Sequence, residues 1–113
     1  MKSILLAVLL ALSWVGAPLS ASAPSSGRLK AGQICAACHG PDGNSATDQF
    51  PRLAGQREAY LVAALRAYRA GLRNDATMRP QAERLTDQEI TDLAAYYGAR
   101  TGLTTRRPTW CGG

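Results

Sequence analysis

Histidine occurs once in the 113 residues, as His39, so no second histidine is available to any metal or cofactor site. Cysteine occurs three times, as Cys35, Cys38 and Cys111. An odd count leaves one cysteine over in any pairing and excludes a simple disulfide framework. No segment alternates polar and apolar residues as a strand would, which excludes a fold built on a sheet. Long apolar runs are missing too. Residues 4–15 are almost wholly apolar, but that is short of the roughly 20 residues a membrane-crossing helix needs. There is no internal repeat and no sign of a second domain.

The apolar run has instead the setting of an export signal. Met1 and Lys2 make a short positive start, and Ala21-Ser22-Ala23 makes an A-x-A-like cleavage site. That layout predicts a secretory signal peptide over residues 1–23, cleaved after Ala21 or Ala23. The alternative for the same segment is an uncleaved N-terminal anchor. Export leads to the periplasm, an oxidising compartment where two close thiols pair or become modified. Residues 24–103 are then the expected domain, and 104–113 a tail that carries Cys111. So small a domain buries little apolar surface and depends on a staple such as a metal, disulfides or a cofactor.

Acids are scarce beside bases, 8 Asp and Glu against 13 Lys and Arg, of which 11 are Arg. A basic surface can meet nucleic acid, anionic lipid or an acidic protein. Export argues against nucleic acid, and the arginines are spread over several segments rather than clustered. Two readings of the charge stay open: docking of acidic partner proteins, or a solvated surface that keeps the chain soluble.

The periodicity that is present is helical. A first helix is expected from near Ser26 and Gly27 through Leu29, Ile34 and the cysteines, ending by Gly40. The stretch "GPDGNSA" and the following "FPRLAG" read as loop. From Arg57 onward Tyr60, Leu61, Ala64, Leu65 and Tyr68 recur at helical spacing, with Gly71 at the stop. "LRNDATMRP" reads as loop again. Thr86-Asp87-Gln88-Glu89 is a capping box, and Ile90, Leu93, Ala94 and Tyr97 form the stripe of a third helix. The expected fold class is all-α, with about three main helices and long loops around something central.

The chemistry is concentrated in "CAACHG", residues 35–40. A structural zinc site wants four ligands. The chain offers Cys35, Cys38, His39 and Cys111 only if the tail folds back, and Cys38 and His39 are awkward neighbours on one tetrahedron. A thioredoxin-like dithiol pair belongs on a βαβ pattern, which is absent. C-x-x-C-H is the attachment signature of c-type haem. On a helical turn the i, i+3 spacing brings both sulfurs to one side for thioether bonds, and the next residue can place its imidazole on iron. The opposite face of an electron-carrying haem is filled by Met or His. With no second histidine and Met1 in the leader, Met78 is the residue left for it.

The segments "CAACHGPDGNS", "FPRLAGQREAYLVAALRAYRAGLRNDATM" and "LTDQEITDLAAYYG" resemble the class I c-type cytochromes. They are similar to one domain of the dihaem c-four cytochromes and their small monohaem relatives, over about residues 27 to 100. The resemblance implies a small cytochrome c fold around one haem c. It implies thioether attachment at Cys35 and Cys38, His39 as proximal ligand and Met78 as distal ligand. Pro51 matches a proline whose carbonyl accepts from the histidine Nδ1, and Gly27 matches a small residue where the first helix crosses the last, near Leu93 and Tyr96. This chain has one attachment motif, and its tail with Cys111 matches nothing in the family.

The expected function is a periplasmic single-electron carrier with a His/Met-ligated haem c, cycling between Fe(III) and Fe(II), and not an enzyme. Its partners would be redox proteins with acidic docking surfaces, and it would not be integral to the membrane after cleavage. The alternatives are a cytochrome subunit of a larger redox enzyme, such as a flavocytochrome or dehydrogenase, and an open-site haem enzyme or gas sensor.

Overall fold

Thr86 starts the helix on which the rest is assembled. In a computed structural model, which describes residue 16 and residues 24–102, its hydroxyl accepts from Glu89 N at 3.2 Å. The Glu89 carboxylate returns to Thr86 N at 2.9 Å, so the capping box read from the sequence is formed. The helix, labelled α5 below, spans Asp87–Gly98, and its expected stripe of Ile90, Leu93, Ala94 and Tyr97 is buried almost completely. The described residues contain no strand.

The other elements precede it. α1 (Pro24–Lys30), a π-helical turn (Ala31–Cys35) and α2 (Ala36–His39) follow one another without a break. α3 covers Glu58–Arg69 and α4 covers Met78–Ala82. The first helix expected from the sequence therefore exists, but with a π turn in its middle that a 3.6-residue period cannot reveal. The Ala36 N–H reaches back five residues to Ala31 O. Such insertions often stand at functional sites, because they re-aim the side chains that follow.

α1 and α5 cross where Gly27 lies on Asp92 and Tyr96. A Cβ on Gly27 would collide with the Asp92 carbonyl and stand 2.9 Å from Tyr96 Cβ, so the close crossing requires glycine. Asp92 is buried at this junction with both carboxylate oxygens engaged. Ser26 Oγ donates to Oδ2 at 2.7 Å and Gln88 Nε2 donates to Oδ1 at 2.9 Å. Lys30 and Glu89 pair beside it at 2.6 Å.

α3 ends as expected just before Gly71, and Arg69 ties that end to the start of α5. Its guanidinium donates to Leu85 O at 3.0 Å and to Asp87 Oδ1 at 2.5 Å. The apolar stripe of α3 behaves differently from that of α5. Leu61 is buried, yet Tyr60 is 50% exposed. The reason is that this face turns towards a crevice rather than onto protein. α4 was expected to be loop. It forms because Asp75 receives the backbone N–H groups of Thr77 and Met78, and Pro80 falls in the first turn, where a missing N–H costs nothing.

Candidate functional site

Between α3, α5 and the loop of residues 40–57 lies an apolar crevice of ≈ 810 Å³, the open space at its mouth included. Its walls carry Leu53, Leu61, Leu65, Leu93 and Ala94, and its polar lining includes Arg52, Gln56 and Arg73. Four of the five residues singled out in the sequence, Cys35, His39, Pro51 and Met78, line this one space. Cys38 is half-buried on α2 and does not line it.

The loop of residues 40–57 is held by α5. Tyr96 Oη donates to Pro41 O at 2.7 Å, and Gly55 N donates to Tyr97 O at 2.9 Å. Gly43 turns with φ 81° directly over the Tyr97 ring, where a Cβ would stand 2.6 Å from Cδ1. Only glycine adopts that conformation freely and leaves room for the ring. Gly43 O then receives Leu53 N at 2.8 Å and Ala54 N at 3.2 Å, which closes the loop.

Closing it brings the Pro51 carbonyl to His39. The imidazole is only 6% exposed, and its Nδ1 stands 2.8 Å from Pro51 O. A carbonyl can only accept, so Nδ1 carries the proton and the Nε2 lone pair is left available to a ligand. Phe50 stands edge-on to the ring at 6.4 Å between centroids.

Burial pushes the Cys35 thiol up to about 11, against the smaller opposing pulls of Tyr97 and Lys30. A dithiol catalyst needs a depressed thiol pKa, so this sulfur is poorly suited to disulfide exchange. A tetrahedral zinc would have to recruit Cys111, which lies outside the described residues. The residues of the crevice fit a large flat apolar group better. The Tyr97 hydroxyl is fully buried in the wall beside Cys35, whose sulfur is at most a weak acceptor, and it has no other partner among the described residues. Burial also raises its pKa. An unsatisfied buried hydroxyl costs about 1–3 kcal/mol, and here it belongs to a residue that borders the crevice.

Sequence reasoning missed Tyr97 as a crevice residue, since a helical stripe reports that a face is buried and not what covers it. It also missed Asp75, although an Asp three residues before Met78 is a recognisable start signal. Arg52, Gln56 and Arg73 carried no local signal.

A crevice of this shape, entered by a C-x-x-C-H helix and tied at the histidine by a proline carbonyl, is that of a c-type cytochrome. The Cytochrome c family description matches residues 28–97, and the chain belongs to that family. Cytochrome c4 of Thiocapsa roseopersicina is 47% identical over 77 residues, 68% of this chain and 40% of that one. The crystal structure of reduced cytochrome c4 from Pseudomonas stutzeri superposes with a TM-score of 0.67 at 37% identity, over 74% of this chain and 48% of that one. A thiosulfate dehydrogenase structure from Marichromatium purpuratum gives a TM-score of 0.66 at 38% identity, over 74% of this chain and 20% of that one. The fold is the small cytochrome c fold, and family membership implies covalently bound haem c. The chain spans about half the length of the curated c4 relatives it matches.

Proposed function

We propose that this chain is an electron carrier with one haem c, attached through Cys35 and Cys38 and ligated by His39 and Met78. The observation that carries the reading is the His39–Pro51 contact at 2.8 Å inside an apolar crevice that Cys35 and Met78 also line. When bound, haem iron supplies a one-electron Fe(III)/Fe(II) couple. The protein's part is to keep that couple in one geometry. Pro51 holds the His39 ring and its tautomer, so the ligating nitrogen does not rotate away when the charge on the metal changes. Leu53, Leu61, Leu65 and Leu93 keep water out. A Met78 thioether favours the reduced iron and so raises the potential.

The cluster chemistry and the leader expected at residues 1–23, almost all of which lie outside the described residues, support a periplasmic site of action, and the cytochrome relatives support an electron-transfer protein rather than an enzyme. No helix among the described residues is long and apolar enough to cross a membrane. Redox partners with acidic surfaces would meet the arginines around the crevice, with association weakened by salt. The match to part of a thiosulfate dehydrogenase structure favours a second reading, a cytochrome subunit of a larger redox complex. Tight co-purification with an enzyme subunit would decide for it.

Intact-mass measurement of the exported protein tests attachment and count. The mature chain should carry the mass of one haem that acid and organic solvent do not extract. Cys35→Ala and Cys38→Ala should each leave a single thioether and shift the reduced absorption bands. A chain mass without haem would overturn the proposal.

A further inference from the structure

The loop between α3 and α4 has to bring Met78 to the crevice, and one exposed side chain organises its last turn. Asp75 Oδ1 accepts the backbone N–H of Thr77 at 2.9 Å and of Met78 at 2.8 Å. The Asp75 carbonyl accepts a third N–H, that of Arg79, at 3.0 Å. Thr77, in the N-cap position of α4, gives no side-chain hydrogen bond of its own. Upstream, the chain is anchored where Leu72 N and Arg73 N both donate to Ala67 O, at 2.9 and 3.1 Å. Downstream, it is anchored by Ala82, which is fully buried. Between these two anchors Asp75 is the side chain that accepts the Met78 backbone N–H.

Resting on the distal role proposed for Met78, we infer that Asp75 is the positioning residue for that sulfur. Its carboxylate does not line the crevice. It acts through the Met78 backbone, holding the first turn of α4 so that the thioether stays on the metal rather than swinging out with the loop. Losing a cap of this kind shifts an equilibrium by about two- to thirtyfold. Here the equilibrium is that between bound and released Met78. Asparagine retains the Oδ1 acceptor and should replace the function, whereas alanine should not.

The test is a titration of the full-length, haem-loaded ferric protein with imidazole, which competes for the distal position. The readout is loss of the weak long-wavelength Met–Fe(III) band, with far-UV circular dichroism recorded alongside. Asp75→Ala should bind imidazole about two- to thirtyfold more tightly than the parent at unchanged helix content, and Asp75→Asn should stay within about twofold of the parent. Met78→Ala, which offers no competing sulfur, marks the upper limit. Parent-like imidazole binding by Asp75→Ala would overturn the proposal, as would Asp75→Asn binding as tightly as Asp75→Ala. A parent without the band that binds imidazole as tightly as Met78→Ala is a different result. It would remove the Met78 assignment and this proposal with it.

Discussion

His39 and Tyr97 stand on the same crevice wall system and show two opposite treatments of a buried polar group. His39 has its Nδ1 satisfied by Pro51, which leaves its other nitrogen open to the ligand role proposed above. Tyr97 has its hydroxyl buried with no partner among the described residues beyond the neighbouring sulfur. If that hydroxyl stays unsatisfied in the haem-loaded protein, Tyr97→Phe should leave stability unchanged or raise it by up to about 1 kcal/mol in urea unfolding. A loss of more than about 1 kcal/mol would mean that the hydroxyl donates to a group in the crevice. The histidine was singled out in the sequence because C-x-x-C-H is a haem-attachment spacing, and the structure places it in the crevice beside the Pro51 carbonyl. Pro51 was legible only through the family resemblance. Tyr97 was read as core and is only 2% exposed; an apolar period does not reveal that a core residue also borders a crevice.

Elements differ in how much of their cause is local. α5 was readable from end to end, since its cap and stripe are contained in its own residues. α3 was readable in extent, but its half-exposed tyrosines were not, as they answer to the crevice. The π turn was not readable, because a five-residue backbone bond leaves no mark on hydrophobic periodicity, and α4 was missed because its one signal, Asp75, stands in the preceding loop without an apolar stripe after it. Two substitutions test the local accounts. Thr86→Ala removes the hydroxyl from the capping box and should cost about 1 kcal/mol by chemical denaturation. Gly27→Ala forces a Cβ into the Asp92 carbonyl and Tyr96. It should cost about 1–3 kcal/mol by the same measurement, as overpacking does in a tight core. An Ala at position 27 without cost would mean that α1 and α5 are not in close contact.

At the scale of the whole molecule, two carboxylates, Glu89 and Asp87, bind elements to one another, and with Asp42, which braces its own loop, they set the response to acid. Lys30 and the Thr86 backbone hold the Glu89 carboxyl below its ordinary value of 4.5. Arg69 holds Asp87, and Asn44 holds Asp42, below the ordinary 3.8. Each has a native pKa lower than its unfolded one, so its stabilisation is complete above the ordinary carboxylate range. It is lost as pH falls through the lowered native values. Thermal stability should therefore be flat from neutral pH down to about pH 5 and fall below about pH 4. High salt should shrink the share of that fall due to the solvent-accessible pairs of Glu89 with Lys30 and Asp87 with Arg69, and leave the Asp42 share, which rests on the neutral Asn44. A melting temperature that rose on acidification would contradict the pairings.

The absorption spectrum of the purified mature protein, oxidised and reduced, with carbon monoxide added to the reduced form, tests the central claim most directly. A covalent low-spin haem with the weak long-wavelength Met–Fe(III) band and no carbon monoxide shift is the predicted result. Met78→Ala should lose the band and bind carbon monoxide. Ready carbon monoxide binding by the unaltered protein, with a high-spin ferric spectrum, would contradict His39/Met78 ligation and give the site to an open-iron enzyme or sensor.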